Sequence, residues 1–291
     1  MSNVIDFNLE SIKAYTIEDV RTLISNFSFY VEEKETIGII GESGSGKTIS
    51  MIALLNRLPK NVKFCGTIQF MGEDIKKHLD EICYIPQSSL DSLNPSLTIE
   101  KHFKLFLNGV CKKDFINEVK KRLDKVGLDE SVLKKYPFEI SGGMAQKVIL
   151  ALLMNDKIKL VIADEITSGL DEKSKNEYLS LFFKVFKNAS KIIITHEMSL
   201  IKYMNKIYIL KDGKLLESLK SDDIVNALKH PYSVQLLKSG NLNDFKLKNY
   251  RSKKGYCPFY QFCEMATQEC AYYAKNNGDV NHKWRCNHVR N

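Results

Sequence analysis

The chain has 291 residues, of which 44% are hydrophobic and 27% charged, a composition typical of a soluble globular protein. No apolar run is long enough to span a bilayer, and the N-terminal sequence lacks the basic and apolar regions of a signal peptide, so we expect a cytosolic location. The net charge of +8 is compatible with phosphate ligands, nucleic acid or an anionic membrane face, and it does not decide among them.

The first predicted strands are residues 4–9 and 23–31, in which apolar side chains alternate with polar ones. Tyr15 is predicted to lie in the loop between them. An aromatic ring at this place could stack on a purine base, although a surface or core tyrosine is the more common role.

Residues 37–50 read IGIIGESGSGKTIS, an apolar strand followed by a glycine-rich loop and a helical pattern. This order is the setting of a phosphate-binding P-loop, rather than of a simple glycine-rich turn. Glycine lets backbone N–H groups face phosphate, and the N-terminus of the helix favours an anion. The lysine adds a point charge, and the threonine offers a hydroxyl ligand to Mg²⁺. The candidate nucleotide-binding residues are Gly41, Ser43, Gly44, Ser45, Gly46, Lys47 and Thr48.

A helix is predicted at residues 49–58, and strands are predicted at 66–70 and 81–85. The last of these strands leads directly to Gln87. Its amide could reach Mg²⁺ or an attacking water, or it could be an ordinary solvated loop side chain.

Helical periodicity dominates residues 99–154 and predicts a helical insert at about 96–155. Within it, Ser141, Gly142 and Gly143 form a second glycine-bearing turn before a helix. This is again an anion-binding geometry, although Ser141 is equally suited to be a simple N-cap.

Residues 160–163 form an apolar strand typical of a central parallel strand, and Asp164 and Glu165 follow it. Side chains at the carboxyl ends of such strands meet ligands in α/β proteins. Asp164 could hold Mg²⁺ through water, and Glu165 could polarise an attacking water. His196 stands at the end of the next predicted strand, residues 191–195, in the same kind of position.

A hairpin is predicted at residues 207–210 and 214–217, and a short helix at 224–228. Residues 230–237 end the main domain, and a basic linker follows at 238–256. Four cysteines then crowd the last 35 residues: Cys257, Cys263, Cys270 and Cys286. In a reducing compartment such a cluster favours metal over disulfides, but no Cys-x₂-Cys pair is present. Spacing alone leaves an iron–sulfur cluster, a zinc ion and four free thiols as alternatives.

Six motifs in this order, GESGSGKT, Gln87, ISGGMAQK, LVIADE, SGLD and His196, resemble the ATPase subunits of ABC transporters along residues 1 to about 235. GESGSGKT, QSSLDSLNPSLTI, YPFEISGGM and HPYSVQLL look more particularly like the branch that imports dipeptides, oligopeptides and nickel. The C-terminal cysteines are similar to an appended region of that branch, where they hold a 4Fe–4S cluster in some members.

The resemblance implies an α/β fold, a P-loop NTPase core of ABC type with a helical insert, plus a small cysteine-bearing C-terminal extension. The expected domains are residues 1–237, which bind ATP, and residues 238–291, which contain the linker and the four cysteines.

The resemblance also implies roles around Mg²⁺ and ATP. Thr48, Gln87 and Asp164 would serve Mg²⁺. Glu165 would be the general base, while His196 and Gln87 would contact the γ-phosphate.

Two such domains would pair head to tail and share each ATP. Ser141, Gly142 and Gly143 would then serve the partner's ATP, and Asp171 would lie at the subunit contact. Tyr15 is the candidate for stacking on adenine.

The implied function is ATP hydrolysis that powers uptake of peptides, nickel or metal chelates through a membrane permease. The implied partners are two permease subunits, a second and commonly different ABC ATPase and, indirectly, an extracytoplasmic solute-binding protein, with no nucleic acid. The chain would then be peripheral, on the cytoplasmic face of the membrane.

The alternative is a soluble ABC ATPase that acts on nucleic acid or ribosomes. Only 53 residues separate Gln87 from Ser141, too few for the coiled coil of repair proteins, and the chain has one P-loop where ribosome-acting members usually have two nucleotide sites. A third possibility, ATP binding without hydrolysis, is disfavoured by Glu165 and His196.

The chain departs from the family pattern at four positions. Lys34 replaces a usual glycine, Ala145 and Lys147 replace arginines, and Ile166 replaces a proline. None of these changes removes a catalytic group, but the lost arginines are expected to weaken contacts around the shared ATP.

Overall fold

The computed structural model describes residues 3–107, 109, 111–220, 224–239, 256–271, 277–279 and 281–289. The strands in chain order are β1 (Asn3–Tyr15), β2 (Val20–Glu32), β3 (Thr36–Gly41), β4 (Val62–Phe70), β5 (Glu73–Asp74), β6 (Ile82–Ile85), β7 (Leu160–Asp164), β8 (Ser190–Thr195), β9 (Lys206–Lys211), β10 (Lys214–Lys220), β11 (Asn277–Gly278) and β12 (His282–Trp284). The helices are α1 (Lys47–Leu54), α2 (Ile99–Phe106), α3 (Lys112–Val126), α4 (Gly142–Leu153), α5 (Glu172–Val185), α6 (Ile224–Ala227) and α7 (Pro231–Ser239). None of the helices in these ranges combines the length and apolar character of a membrane span.

The chain forms two compact units, one made of Met1–Leu79 with Ser190–Asn291 and the other of Asp80–Ala189. The first unit contains an antiparallel sheet with the strand order β2-β1-β4-β5. Its buried face is aromatic: the rings of Phe7 and Phe29 stack with centroids 4.7 Å apart. This packing explains the alternation that predicted both strands.

The hairpin of β1 and β2 is longer than its apolar pattern, because backbone pairing continues as far as Tyr15 and Val20. The prediction that Tyr15 lies in a loop is therefore wrong, since it is the last residue of β1. The side chains at the outer end of this hairpin are exposed, including the apolar Ile17 and Val20, so hydrophobic periodicity did not mark it.

The second sheet of this unit has β3 between β8 and β9, both parallel to it. All six residues of β3 are buried, as expected for a central parallel strand. Ile40 pairs with Thr195, so the chain segments that begin at Gly41 and at His196 leave the same edge of the sheet. The turn before β3 has Lys34 at φ 60°, a conformation that glycine adopts without strain, consistent with the glycine usual at this place.

The described part of the C-terminal region extends this sheet. Strand β12 pairs antiparallel with β10, joining Trp284 to Glu217, and β11 pairs with β12. The rings of Trp284 and Phe259 are buried. The middle of the predicted linker, residues 240–255, lies outside the described residues, and the domain boundary near 237 stays a prediction.

The second unit pairs β6 and β7 in parallel, with Ile85 opposite Ala163. Helices α2, α3 and α4 occupy the stretch predicted as the helical insert. Phe103, Val119 and Leu123, three of the residues that helical periodicity predicted as core, are buried. Leu105 and Phe106, predicted as core from the same periodicity, are 64% and 55% exposed, so the prediction is wrong for them.

Candidate functional site

The loop between β3 and α1 has a shape that requires glycine. Gly44 and Gly46 have φ values of 79° and 103°. A Cβ on Gly41 would lie 2.3 Å from the backbone oxygen of Leu210, and one on Gly46 would lie 2.7 Å from the side chain of Ile24. The motif therefore reflects close backbone packing as well as room for phosphate.

Lys47 is the first residue of α1, and its side chain is only 4% exposed. Its ammonium donates to the backbone oxygens of Gly41 and Glu42, each at 2.8 Å. The charge thus lies over the loop, at the helix end that favours anions. Thr48 is exposed beside it, where its hydroxyl can reach a ligand.

Glu42, within the loop, was not singled out from the sequence. Lys211 donates to both of its carboxylate oxygens at 3.0 Å, and the Tyr232 hydroxyl donates to one of them at 3.0 Å. Gly41 pairs with Leu210 on the neighbouring strand. The residues that follow this pair are Glu42, which is acidic, and Lys211, which is basic. These opposite charges after two paired strand residues were the signal that could have identified Glu42.

Two further candidates lie in the same unit. His196 follows β8 and is half-buried, and the next backbone amide, of Glu197, donates to Thr195 Oγ1 at 2.9 Å. Tyr15 is 38% exposed, with the Lys63 ammonium 5.3 Å from its ring centroid. The adenine-stacking role of Tyr15 stays a prediction.

The two carboxylates after β7 have different surroundings within the second unit. Asp164 is 4% exposed, and the Tyr84 hydroxyl donates to its Oδ2 at 3.1 Å. Burial, followed by the charge of Asp164, raises the pKa of Tyr84, so the hydroxyl stays a donor. Glu165 has φ 48° and accepts from the Gln87 amide at 2.9 Å. The structure therefore brings Gln87 and Glu165 into contact.

Tyr84 was missed in the sequence, although a polar ring one residue before the end of an apolar strand could have marked it. Gln146, on α4, is another such residue, because its amide donates to the backbone oxygen of Ile166 at 3.3 Å. The helix that follows the glycine turn thus contacts the turn that follows Glu165.

The glycine turn at the start of α4 is open. Ser141 caps the helix, its hydroxyl accepting from the Met144 amide at 3.2 Å. Gly142 and Gly143 are exposed, and a Cβ on either would have no other atom within 4 Å. The N-cap role of Ser141 is confirmed, and its role towards a partner's ATP stays a prediction.

Asp171 caps α5 and accepts from the backbone amides of Lys173 and Ser174 and from the Ser174 hydroxyl. The Ser174 hydroxyl is the main cause that lowers the pKa of this carboxyl. Asp171 therefore has a local structural role, and its place at a subunit contact stays a prediction.

One cavity lies among the C-terminal cysteines. Its cysteine and histidine lining consists of Cys257, Cys263, Cys270, Cys286, His230 and His288. Burial raises the pKa of Cys257 to about 11, with the other three thiols adding to the effect. The Cys270 sulfur lies 3.1 Å from the His288 Nε2. Among the described residues, however, no group of three or more histidine, cysteine or acidic side chains has the arrangement of a metal site.

Comparison with known proteins places these features in a family. The sequence model described as ABC transporter matches residues 24–168. The oligopeptide transport ATP-binding protein OppD of Salmonella typhimurium is 30% identical over 277 residues, which cover 86% of this chain and 82% of that protein. The chain belongs to the ATP-binding subunits of ABC importers for oligopeptides, dipeptides and metals.

A second relative in this ABC family is the metal-staphylopine import system ATP-binding protein CntD of Staphylococcus aureus. It is 31% identical over 250 residues, covering 79% of this chain and 92% of that protein. The dipeptide transport ATP-binding protein DppD of Haemophilus influenzae is 32% identical over 235 residues, covering 74% of this chain and 71% of that protein. The family predicted from the motifs is confirmed, and this ABC subunit is an ATPase that binds ATP and Mg²⁺.

Solved structures agree on the ABC fold. CbiO1 from Clostridium perfringens, part of an ABC transporter complex, has a TM-score of 0.65 at 21% identity and covers 78% of this chain and 92% of that chain. A dimeric ATP-binding cassette bound to ADP and phosphate has a TM-score of 0.62 at 21% identity and covers 74% of this chain and 98% of that chain. The predicted fold class, a P-loop NTPase of ABC type, is confirmed.

Proposed function

We propose that this chain powers the uptake of a peptide or a metal complex through a membrane permease. The observation that carries the proposal is the similarity of this chain to OppD, which extends over 82% of the length of OppD. The names of relatives include oligopeptides, dipeptides and metal-staphylopine, so the substrate belongs to one of these classes, with nickel as a further candidate. These transport proteins favour the importer over an ATPase that acts on nucleic acid.

The proposed partners are two permease subunits in the membrane and a second, different ABC ATPase. A solute-binding protein outside the membrane would select the substrate without touching this chain. We place this chain at the cytoplasmic face of the membrane, where the permease would receive it.

Each motif then has a proposed role. The loop residues Gly41, Ser43, Gly44, Ser45, Gly46, Lys47 and Thr48 would bind the phosphates. Thr48, Gln87 and Asp164 offer oxygen atoms, the ligand type that Mg²⁺ prefers. When bound, Mg²⁺ would neutralise charge on the phosphates.

Glu165 would accept the proton of the attacking water. Gln87, which donates a hydrogen bond to Glu165, would orient the Glu165 carboxylate. His196 would contact the γ-phosphate. The exposed turn at Ser141, Gly142 and Gly143 fits a role towards the ATP of a partner subunit, since backbone amides there are open to an anion.

For the four cysteines we propose a metal centre, either a 4Fe–4S cluster or a zinc ion. Support comes from their shared cavity, and the fit is partial, because the sulfurs do not form a ligand set as placed. Protein purified without oxygen should show absorbance near 400 nm and bound iron if the centre is a cluster, and zinc alone if it is not. If the purified protein contains neither iron nor zinc, the proposal is refuted.

The importer function is tested by co-expressing the chain with the two permease subunits and the second ATPase proposed as its partners. The complex, reconstituted in vesicles, is given a labelled dipeptide, an oligopeptide, Ni²⁺ or a metal chelate together with the solute-binding protein. We expect ATP-dependent uptake of one class, absent from a matched complex with Glu165→Gln. A complex that hydrolyses ATP and moves none of the four would contradict the proposal.

A further inference from the structure

We infer that Tyr232 is a positioning residue for the P-loop lysine, Lys47, and that the cysteine-bearing segment, residues 256–271, holds Tyr232 in place. Tyr232 lies on α7, far along the chain from the loop, and its hydroxyl donates to the loop residue Glu42. Glu42, Lys47 and Tyr232 all belong to the first unit.

Glu42 connects Tyr232 to Lys47. Its backbone oxygen accepts from the Lys47 ammonium at 2.8 Å and from the Ser45 amide at 3.1 Å. Its carboxylate is fixed by Lys211 and Tyr232. Because side chain and backbone belong to one residue, fixing the carboxylate limits the movement of the carbonyl that holds Lys47.

The hydroxyl of Tyr232 is hard to replace. The residue is 1% exposed, and the Lys211 ammonium lies 4.9 Å from its ring centroid. Removing the hydroxyl would leave the half-buried Glu42 carboxylate with one fewer hydrogen-bond donor. The Lys211 ammonium, at the end of a long side chain, would by itself restrain the Glu42 carboxylate less than the two donors together.

The cysteine-bearing segment contacts Tyr232 directly through Phe259 and indirectly through His230. The ring of Phe259, 2% exposed, lies 5.5 Å from the ring of Tyr232, centroid to centroid. The Tyr232 amide donates to His230 Nδ1 at 3.1 Å, so a ring proton of neutral His230 sits on Nε2. That nitrogen is 4.0 Å from the Cys257 sulfur. The packing of this segment therefore reaches the P-loop through the side chain of Tyr232.

The test is equilibrium binding of Mg-ATP to the full chain, with the folded fraction of each variant measured by thermal unfolding. Tyr232→Phe keeps the ring and removes the hydroxyl, and we expect binding about fivefold to tenfold weaker. Tyr208→Phe is the matched control, because Tyr208 is also a buried tyrosine of the first unit and its hydroxyl donates to the backbone oxygen of Tyr30. Its affinity should change less than about twofold.

A double-mutant cycle separates positioning from general destabilisation. If Tyr232 acts through Glu42, the double variant with Tyr232→Phe and Glu42→Gln should bind Mg-ATP about as weakly as the single variant Glu42→Gln. Effects that multiply independently would overturn the positioning role. Phe259→Leu should weaken binding about threefold while the chain stays folded. Wild-type affinity in that variant would overturn the link to the segment.

This inference rests on the nucleotide site described above, and the two can fail separately. If the wild-type chain does not bind Mg-ATP, the proposed function fails. If the wild type binds, Lys47→Ala does not, and Tyr232→Phe binds as tightly as the wild type, only this inference is refuted.

Discussion

The side-chain amide of Gln87 donates to the Glu165 carboxylate across 2.9 Å. Glu165 comes directly after the buried strand β7 and has φ 48°, a left-handed conformation that residues other than glycine rarely adopt. The backbone oxygen of Glu165 accepts from the Ser168 amide at 3.0 Å, which closes the turn. Backbone strain of this kind is commonly retained where the direction of a side chain matters.

The first prediction concerns Glu165 as the general base. Glu165→Gln keeps the shape and the contact with Gln87 but cannot accept a proton. We expect ATP hydrolysis by the assembled complex to slow by about 10²–10⁴, or roughly 3–5 kcal/mol of barrier, with ATP still bound. Steady-state hydrolysis and equilibrium nucleotide binding measure the two effects.

Glu172→Gln is the matched control, since Glu172 is an exposed glutamate in the same unit. It should hydrolyse ATP at close to the wild-type rate. Equal turnover in Glu165→Gln and the wild type would show that another group takes the proton.

The second prediction concerns the close approach of Gly41 to the backbone of Leu210. Gly41→Ala would place a Cβ 2.3 Å from a backbone oxygen that cannot rotate away. We expect the free energy of unfolding to fall by about 2–3 kcal/mol and ATP binding to be lost, because the loop must shift. Urea unfolding and nucleotide binding test both effects.

Gly72→Ala is the comparison for this substitution. Gly72 has φ 83°, and a Cβ there would have no atom within 4 Å. It should cost about 1 kcal/mol through backbone strain alone and leave ATP binding intact. Loss of ATP binding in both variants would mean that the crowding at Gly41 is not the cause.

The third prediction concerns the hydroxyl of Tyr84. Tyr84→Phe removes the donor to the buried Asp164 carboxylate, so we expect the free energy of unfolding to fall by about 1–3 kcal/mol. Tyr15→Phe, at an exposed tyrosine, should change it by less than about 0.5 kcal/mol. Chemical unfolding at neutral pH measures both, and equal stabilities would contradict the assigned hydrogen bond.

Local sequence patterns predicted the parts of this fold that depend on neighbours in the chain. The apolar run before Asp164 and the glycines before Lys47 have consequences within a few residues, so strand, loop and helix followed from them. The end of β1 was predicted too early, because its outer residues pair through the backbone and not through apolar side chains. Periodicity does not record such pairing.

Motifs and periodicity in the sequence did not predict contacts between residues that are far apart in the chain. Tyr232 and Glu42 are 190 positions apart, and the His282–Glu217 pair, at 2.6 Å, joins residues 65 positions apart. Each depends on strand register and on the path of the C-terminal region, which a motif does not encode. For the same reason the sequence left the four cysteines without a common site, whereas the structure places them around one cavity.

The last prediction concerns Lys191, a buried lysine in β8 whose pKa is lowered by burial from 10.5 to about 8. Between these values the unfolded chain keeps a proton that the folded chain has released, so wild-type stability should rise as pH increases from about 8 to 10.5. Lys191→Met lacks this cost and should be more stable at pH 7 by about 1–3 kcal/mol. The difference should shrink as pH rises through this range. Lys173→Met, at an exposed lysine, is the control and should run parallel to the wild type. Parallel curves for Lys191→Met as well, from urea unfolding at several pH values, would show that burial does not depress the pKa of this ammonium.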